Sequence, residues 1–143
     1  MPLRVGIDLV SADSVRESIR EHGDRYLARV YTDAELRDCE TPAGPDPERL
    51  AARFAAKEAT VKVLRPGRDD AVPLRSIEVR RDPAGWVELR LLGQAAELAA
   101  NAGVTDLALS FSHEAGFVSA VVIAEVAATS PPDASSASGT ALQ

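Results

Sequence analysis

Asp46-Pro47-Glu48 opens the longest uninterrupted helical pattern in this 143-residue chain, which runs to about Leu64 and the turn Arg65-Pro66-Gly67. Asp46 suits the N-cap. Pro47 suits the first helical position, where its missing N–H is one that has no intrahelical partner in any case. A helix this long buries its apolar surface only against a sheet or other helices, so the flanking segments have to supply that surface. On the helical wheel Leu50, Phe54 and Val61 share one stripe, the expected core face. Glu58 and Lys62 lie beside it with Ala51, Ala55 and Ala59, and small residues there leave room for something to approach the helix.

Strand patterns flank the helix. Near the N-terminus Leu3, Val5, Ile7 and Leu9 alternate with Arg4, Gly6, Asp8 and Val10, a period of two that sends the two sets to opposite faces. The strand looks buried, yet it carries an aspartate in its middle, where propensity disfavours one. Gly6, on the same face as Asp8, marks close approach of a ligand or another backbone. Asp106 to His113 reads as a strand with Leu107, Leu109 and Phe111 on one face and Ala108, Ser110 and Ser112 on the other, ending at His113-Glu114 where the chain leaves the core. After Ala115-Gly116, Phe117 to Val126 is apolar or small on both faces, which suits burial in a sheet or a subunit interface.

Shorter signals complete the plan. Ser14 with Glu17 makes a capping box for a helix near residues 13–22, with Gly23 as its stop, and Thr32 with Glu35 makes a second box for a short helix. Thr41 to Pro47 reads as a loop. Arg75 to Arg81 and Trp86 to Leu92 read as strands joined by a turn at Asp82-Pro83-Ala84-Gly85, and Gln94 to Asn101 as a helix ending at Gly103. From Ala127 the composition shifts to serine, alanine, proline and threonine, too poor in bulky apolar residues to order itself. The expectation is an α+β domain over 1–126, its mostly antiparallel sheet packed on the long central helix, followed by a disordered tail over 127–143.

Composition narrows the function. The net charge of −6 disfavours nucleic acid as a partner. One cysteine permits no internal disulfide, and Cys39 with two histidines argues against a zinc site of the usual ligands. No apolar run approaches the ~18 residues of a membrane span, and the N-terminus lacks a signal pattern, so a cytoplasmic location is expected.

Taken singly, Asp8 reads as a solvated strand residue, Glu58–Lys62 as an ordinary i,i+4 surface pair, and His113 as a structural histidine. Together, the motifs Gly6-Ile7-Asp8-Leu9-Val10, Arg53 to Lys62 (Arg-Phe-Ala-Ala-Lys-Glu-Ala-Thr-Val-Lys), and Ser110 to Glu114 with Ser119 to Ile123 closely resemble the holo-[acyl-carrier-protein] synthase family, the small 4′-phosphopantetheinyl transferases. Three motifs in register are far more specific than any one. The resemblance covers about residues 3–126. It implies transfer of the phosphopantetheine arm of coenzyme A to a serine of an apo acyl, peptidyl or polyketide carrier protein or carrier domain, releasing 3′,5′-adenosine diphosphate. It further implies Asp8 and Glu58 as magnesium ligands, a donor set that suits a hard cation completed by water and phosphate oxygens. Lys62 would stabilise charge on the transferring phosphoryl or the leaving group. Either Glu58 or a metal-bound water would take the serine proton, with Glu114 a secondary candidate. Arg53, Lys57, Lys62, Ser112 and His113 would line the coenzyme A site, and a homotrimer with sites shared between neighbours is implied.

The chain departs from the family pattern in two places. The usual glycine turn after Lys62 is replaced by Arg65-Pro66-Gly67, so one backbone amide is lost as a phosphate donor and Arg65 is the charged substitute, with Gly67 beside it. Serines stand at 11 and 14, where an acidic and a basic residue are common. Two rival readings stay open: a coenzyme A or nucleotide-binding domain of the same fold without turnover, and another magnesium-dependent phosphoryl-transfer enzyme.

Overall fold

A computed structural model describes residues 2–128. The tail expected over 127–143 lies, from 129 onward, outside the described residues. Ala127 still donates its N–H to Gly103 O at 2.7 Å.

The long helix is α4, Pro47–Leu64, and its bounds match the reading from the start signal. Asp46 caps it by accepting from the N–H of Glu48, and Arg65 ends it in the left-handed conformation at φ 51°. It lies on a three-stranded antiparallel sheet in the order β1-β7-β6, formed by β1 (Leu3–Ser11), β6 (Val104–Glu114) and β7 (Phe117–Val126). Register pairs Asp8 with Ala120 and Ala120 with Phe111. Val10 pairs with Val118, and Val118 with His113. Asp8, Val10 and His113 therefore stand on one face of the sheet, the face that α4 covers.

That arrangement corrects the burial expected from the N-terminal strand. Leu3, Val5, Ile7 and Leu9 are 67%, 68%, 57% and 64% exposed. The face with Gly6 and Val10 is the buried one. Gly6 explains it. A Cβ built there would lie 2.1 Å from Ala59 O, so helix and strand pack at a distance that only glycine tolerates. The small-residue stripe Ala51, Ala55 and Ala59 is fully buried, and what approaches it is the protein's own strand. The helix is also buried more widely than its single expected stripe: Arg53, Lys57 and Thr60 are buried, while Phe54 and Val61 are only partly so.

The remaining elements frame this layer. Between β1 and α4 come α1 (Ala12–His22), α2 (Asp24–Val30) and α3 (Asp33–Asp38). For α1 the cap is Ser11, which accepts from the N–H of Ser14, and not Ser14 itself. The box at Thr32 and Glu35 is present as expected. Nothing in the capping signals marks α2, because Gly23 ends α1 and opens α2 with no side-chain cap. The expected loop at 41–47 contains a small hairpin, β2 (Glu40–Thr41) with β3 (Gly44–Pro45). The second hairpin is β4 (Ile77–Arg81) with β5 (Val87–Leu91), preceded by a 3-10 turn over Leu74–Ser76. Helix α5 (Gly93–Ala102) leads into β6.

Candidate active site

Two clusters lie on the helix-covered face, at opposite ends of α4. The first contains Asp8, Glu58 and Lys62. Gly6 lets β1 approach closely, and Glu58 and Lys62 are one helical turn apart, so the close approach brings the strand's carboxylate to both. The Lys62 ammonium donates to Ile7 O at 2.6 Å and lies 3.5 Å from Asp8 Oδ1. Glu58 is partly buried; burial, and then the Asp8 carboxylate, raise its proton affinity above the ordinary glutamate range, while Lys62 pulls it back. Among the described residues no group of three or more histidine, cysteine or acidic side chains converges. The two carboxylates suit magnesium, which takes one or two protein carboxylates and fills its shell with water and phosphate oxygens, and the ammonium beside them suits a phosphate.

The second cluster surrounds Arg53 and His113. His113 Nδ1 lies 3.2 Å from Glu48 Oε1 on the first turn of α4, and the imidazole is exposed. A cleft of about 340 Å³ is lined by Glu48, Arg49, Arg53, Arg81, Phe111 and His113 among others. Arg53 is only 4% exposed, and its buried Nε has no hydrogen-bond partner. The sequence reading did not single out Arg49, Arg81 or Glu48. Arg49 had a signal in its spacing, one turn before Arg53, whereas Arg81 comes from a distant strand that only the fold brings close. Ser112 and Glu114 flank His113 at the exposed end of β6; Ser112, Glu114, His113 and Leu9 line a second opening of about 420 Å³.

Glu48 and Glu58 are ten residues apart on one helix, about 15 Å at 1.5 Å per residue. The two clusters are thus spaced along α4, with Arg53 five residues, about 7.5 Å, from Glu58. Arg65 and Gly67 follow the first cluster past the end of α4, and both are exposed. The Gly67 N–H donates to Asp70 Oδ2 at 2.8 Å, so that amide is engaged within its own turn.

Lys57 departs from the expected coenzyme A site. It is fully buried, and its ammonium donates to Glu35 Oε1 at 2.7 Å, to Leu74 O at 2.9 Å and to Ile77 O. Three donors meet three acceptors inside the protein, and none is left for a ligand.

The sequence of residues 4–122 matches the family model of the 4′-phosphopantetheinyl transferase superfamily. The chain belongs to that superfamily. It is 42% identical over 125 residues to a holo-[acyl-carrier-protein] synthase of Koribacter versatilis, covering 87% of this chain and 99% of that one. A namesake from Halothermothrix orenii is 39% identical over 121 residues, covering 85% and 95%. Among solved structures, the Chronobacterium ammoniagenes ACPS–CoA complex superposes with a TM-score of 0.78 at 34% identity, covering 90% of this chain and all of that one. The Helicobacter pylori holo-[acyl-carrier-protein] synthase in complex with coenzyme A gives 0.73 at 26% identity, covering 85% and 100%. The α+β fold with its antiparallel sheet on a long helix is that of these synthases.

Proposed function

We infer that this chain is a holo-[acyl-carrier-protein] synthase, moving the 4′-phosphopantetheine group from coenzyme A to a serine of an apo carrier protein. The match to synthases over nearly their whole length supports it, and the convergence of Asp8, Glu58 and Lys62 is the observation that carries the chemistry. The serine oxygen forms a bond to the phosphorus bearing pantetheine, the bridging P–O bond of the pyrophosphate breaks, and 3′,5′-adenosine diphosphate leaves with the electron pair.

Each residue of the first cluster has a role in that reading. Asp8 and Glu58 would hold magnesium, which when bound would supply positive charge to offset that of the pyrophosphate. Lys62 stabilises negative charge on the oxygens that gain it. Glu58, with its raised proton affinity, is a carboxylate that can accept the serine proton, and Glu114 is the second one near the opening. Arg53, Ser112 and His113 hold the nucleotide portion of coenzyme A, and Arg65 takes the phosphate contact that Pro66 cannot make.

The two clusters are spaced along α4, and the exposed face of the sheet offers a way to set one protomer's cluster against its neighbour's. Leu3, Val5, Ile7 and Leu9, with Phe117 and Ile123 beside them, make an exposed apolar face. Its burial against copies of the same chain yields a homotrimer in which one protomer supplies Asp8, Glu58 and Lys62 and its neighbour Arg53, Ser112 and His113. No helix among the described residues is long and apolar enough to cross a membrane, and we place the reaction in the cytoplasm. The test is to incubate the protein with coenzyme A, magnesium and an apo carrier protein and weigh the carrier by mass spectrometry. A phosphopantetheine adduct that vanishes when magnesium is chelated is the expected result. No adduct overturns the transferase reading, and an adduct that persists under chelation overturns the metal assignment.

A further inference from the structure

Lys57 and Glu35 form a buried ion pair at the point where three elements meet. Lys57 is on α4, Glu35 on α3, and the backbone of β4 is joined to both. Glu35 Oε1 accepts from Lys57, Glu35 Oε2 accepts from the N–H of Val79 at 3.0 Å, and Ile77 O accepts from Lys57. Thr32 N–H adds a second bond to Glu35 Oε1 at 2.9 Å. Both side chains are 0% exposed. Burial pulls the Lys57 ammonium below its ordinary range, and Glu35 pushes it back up. Fully satisfied networks of this kind hold one geometry, because any displacement leaves a charge unpaired in a medium that solvates it poorly.

Each tied element carries an arginine-site group close to its tie. Arg53 is one turn before Lys57 on α4. Asp38 is three residues after Glu35 on α3, and its Oδ2 lies 3.2 Å from Arg80 Nε and 4.0 Å from Arg53 Nη2. Arg80 follows Val79 on β4, and Arg81 enters the cleft with Arg49, Arg53 and His113. We propose that the Lys57–Glu35 pair is a positioning lock that fixes the arginine cleft for coenzyme A, and that Lys57 acts through it without touching the ligand. This rests on the transferase reading above.

The experiment is a double-mutant cycle read in coenzyme A affinity. Lys57→Met, Glu35→Gln and the combined variant are assayed for kcat and for KM toward coenzyme A and carrier, with coenzyme A Kd by calorimetry and folding checked by circular dichroism. The expected result is that each single variant raises KM and Kd for coenzyme A about tenfold, with kcat within about threefold. The combined variant should be no weaker than the worse single one, since the two residues serve one interaction. Glu35→Gln removes only a charge from a residue sealed away from any ligand, so it keeps the test open if Lys57→Met does not fold. An unchanged coenzyme A affinity in Glu35→Gln overturns the proposal. So do effects that multiply in the combined variant, the signature of a lysine that contacts coenzyme A itself. A wild-type protein that binds coenzyme A without transferring it defeats the transferase reading, while the calorimetric cycle still decides the lock.

Discussion

An added Cβ at Gly6 lies 2.1 Å from Ala59 O and 3.2 Å from Lys62 Cβ, so Gly6→Ala has to push β1 away from α4. The displacement costs about 1–3 kcal/mol, the usual range for overpacking. It also separates Asp8 from Glu58 and Lys62, so transfer falls along with the urea midpoint. Asp8→Ala and Glu58→Ala act differently. Neither side chain fills the core, and removing either relieves the neighbouring carboxylate of a like charge. Turnover is expected to drop on the order of 10²–10³-fold while the unfolding free energy shifts by about 0.5 kcal/mol or less. Rate and denaturation curves measured on the same preparations check the split, and full activity in either variant refutes the metal assignment.

At the level of elements, two helix caps with the same chemistry stand in different surroundings. Asp46 caps α4 from a side chain still 31% exposed, and water can replace it; Asp46→Ala costs about 0.5–1 kcal/mol. Thr32 caps α3 from a buried position, accepting from the N–H of Glu35 and donating to Glu78 Oε2 at 2.6 Å. Its removal strands a buried carboxylate as well as an amide. Thr32→Ala is expected to cost about 2 kcal/mol, and guanidinium melts of the two variants should rank in that order. The ranking follows from α3 being tied into the core through Glu35, which an isolated capping box does not disclose.

For the whole molecule, the exposed row Leu3, Val5, Ile7 and Leu9 is the surface that the proposed trimer would bury. Light scattering is expected to report a trimer. In the proposed trimer a ring of identical interfaces would join one end of each protomer's α4 to the other end of its neighbour's, so complementation is expected. Glu58→Ala and His113→Ala are each deficient alone, and unfolded and refolded together they should recover about a quarter of wild-type activity, the share of sites receiving both intact residues. Recovery by mixing, measured against each variant refolded alone, is the check. No recovery, or full activity in a monomer, removes the shared site.

Periodicity and capping rules are local, and the local features were legible in the residues. The bounds of α4, the capping box at Thr32 and Glu35, the alternation of β1 and β6, and β7 as a strand apolar or small on both faces were all readable. The motifs around Asp8, Glu58 and His113 pointed to the superfamily for the same reason. Alternation divides β1 into two faces but does not say which one meets the helix. The strand as a whole looked buried, yet only the Gly6 face is, because the closest packing against Ala59 needs a residue without a Cβ. Lys57 shows the same division. Its neighbours in the motif suggested a ligand contact, and only tertiary structure revealed that Glu35, Leu74 and Ile77, from elements 17 to 22 residues away, consume all three of its donors. A side chain's partners at that range depend on how elements dock, and docking is decided by the summed packing of the whole domain rather than by any short stretch of chain.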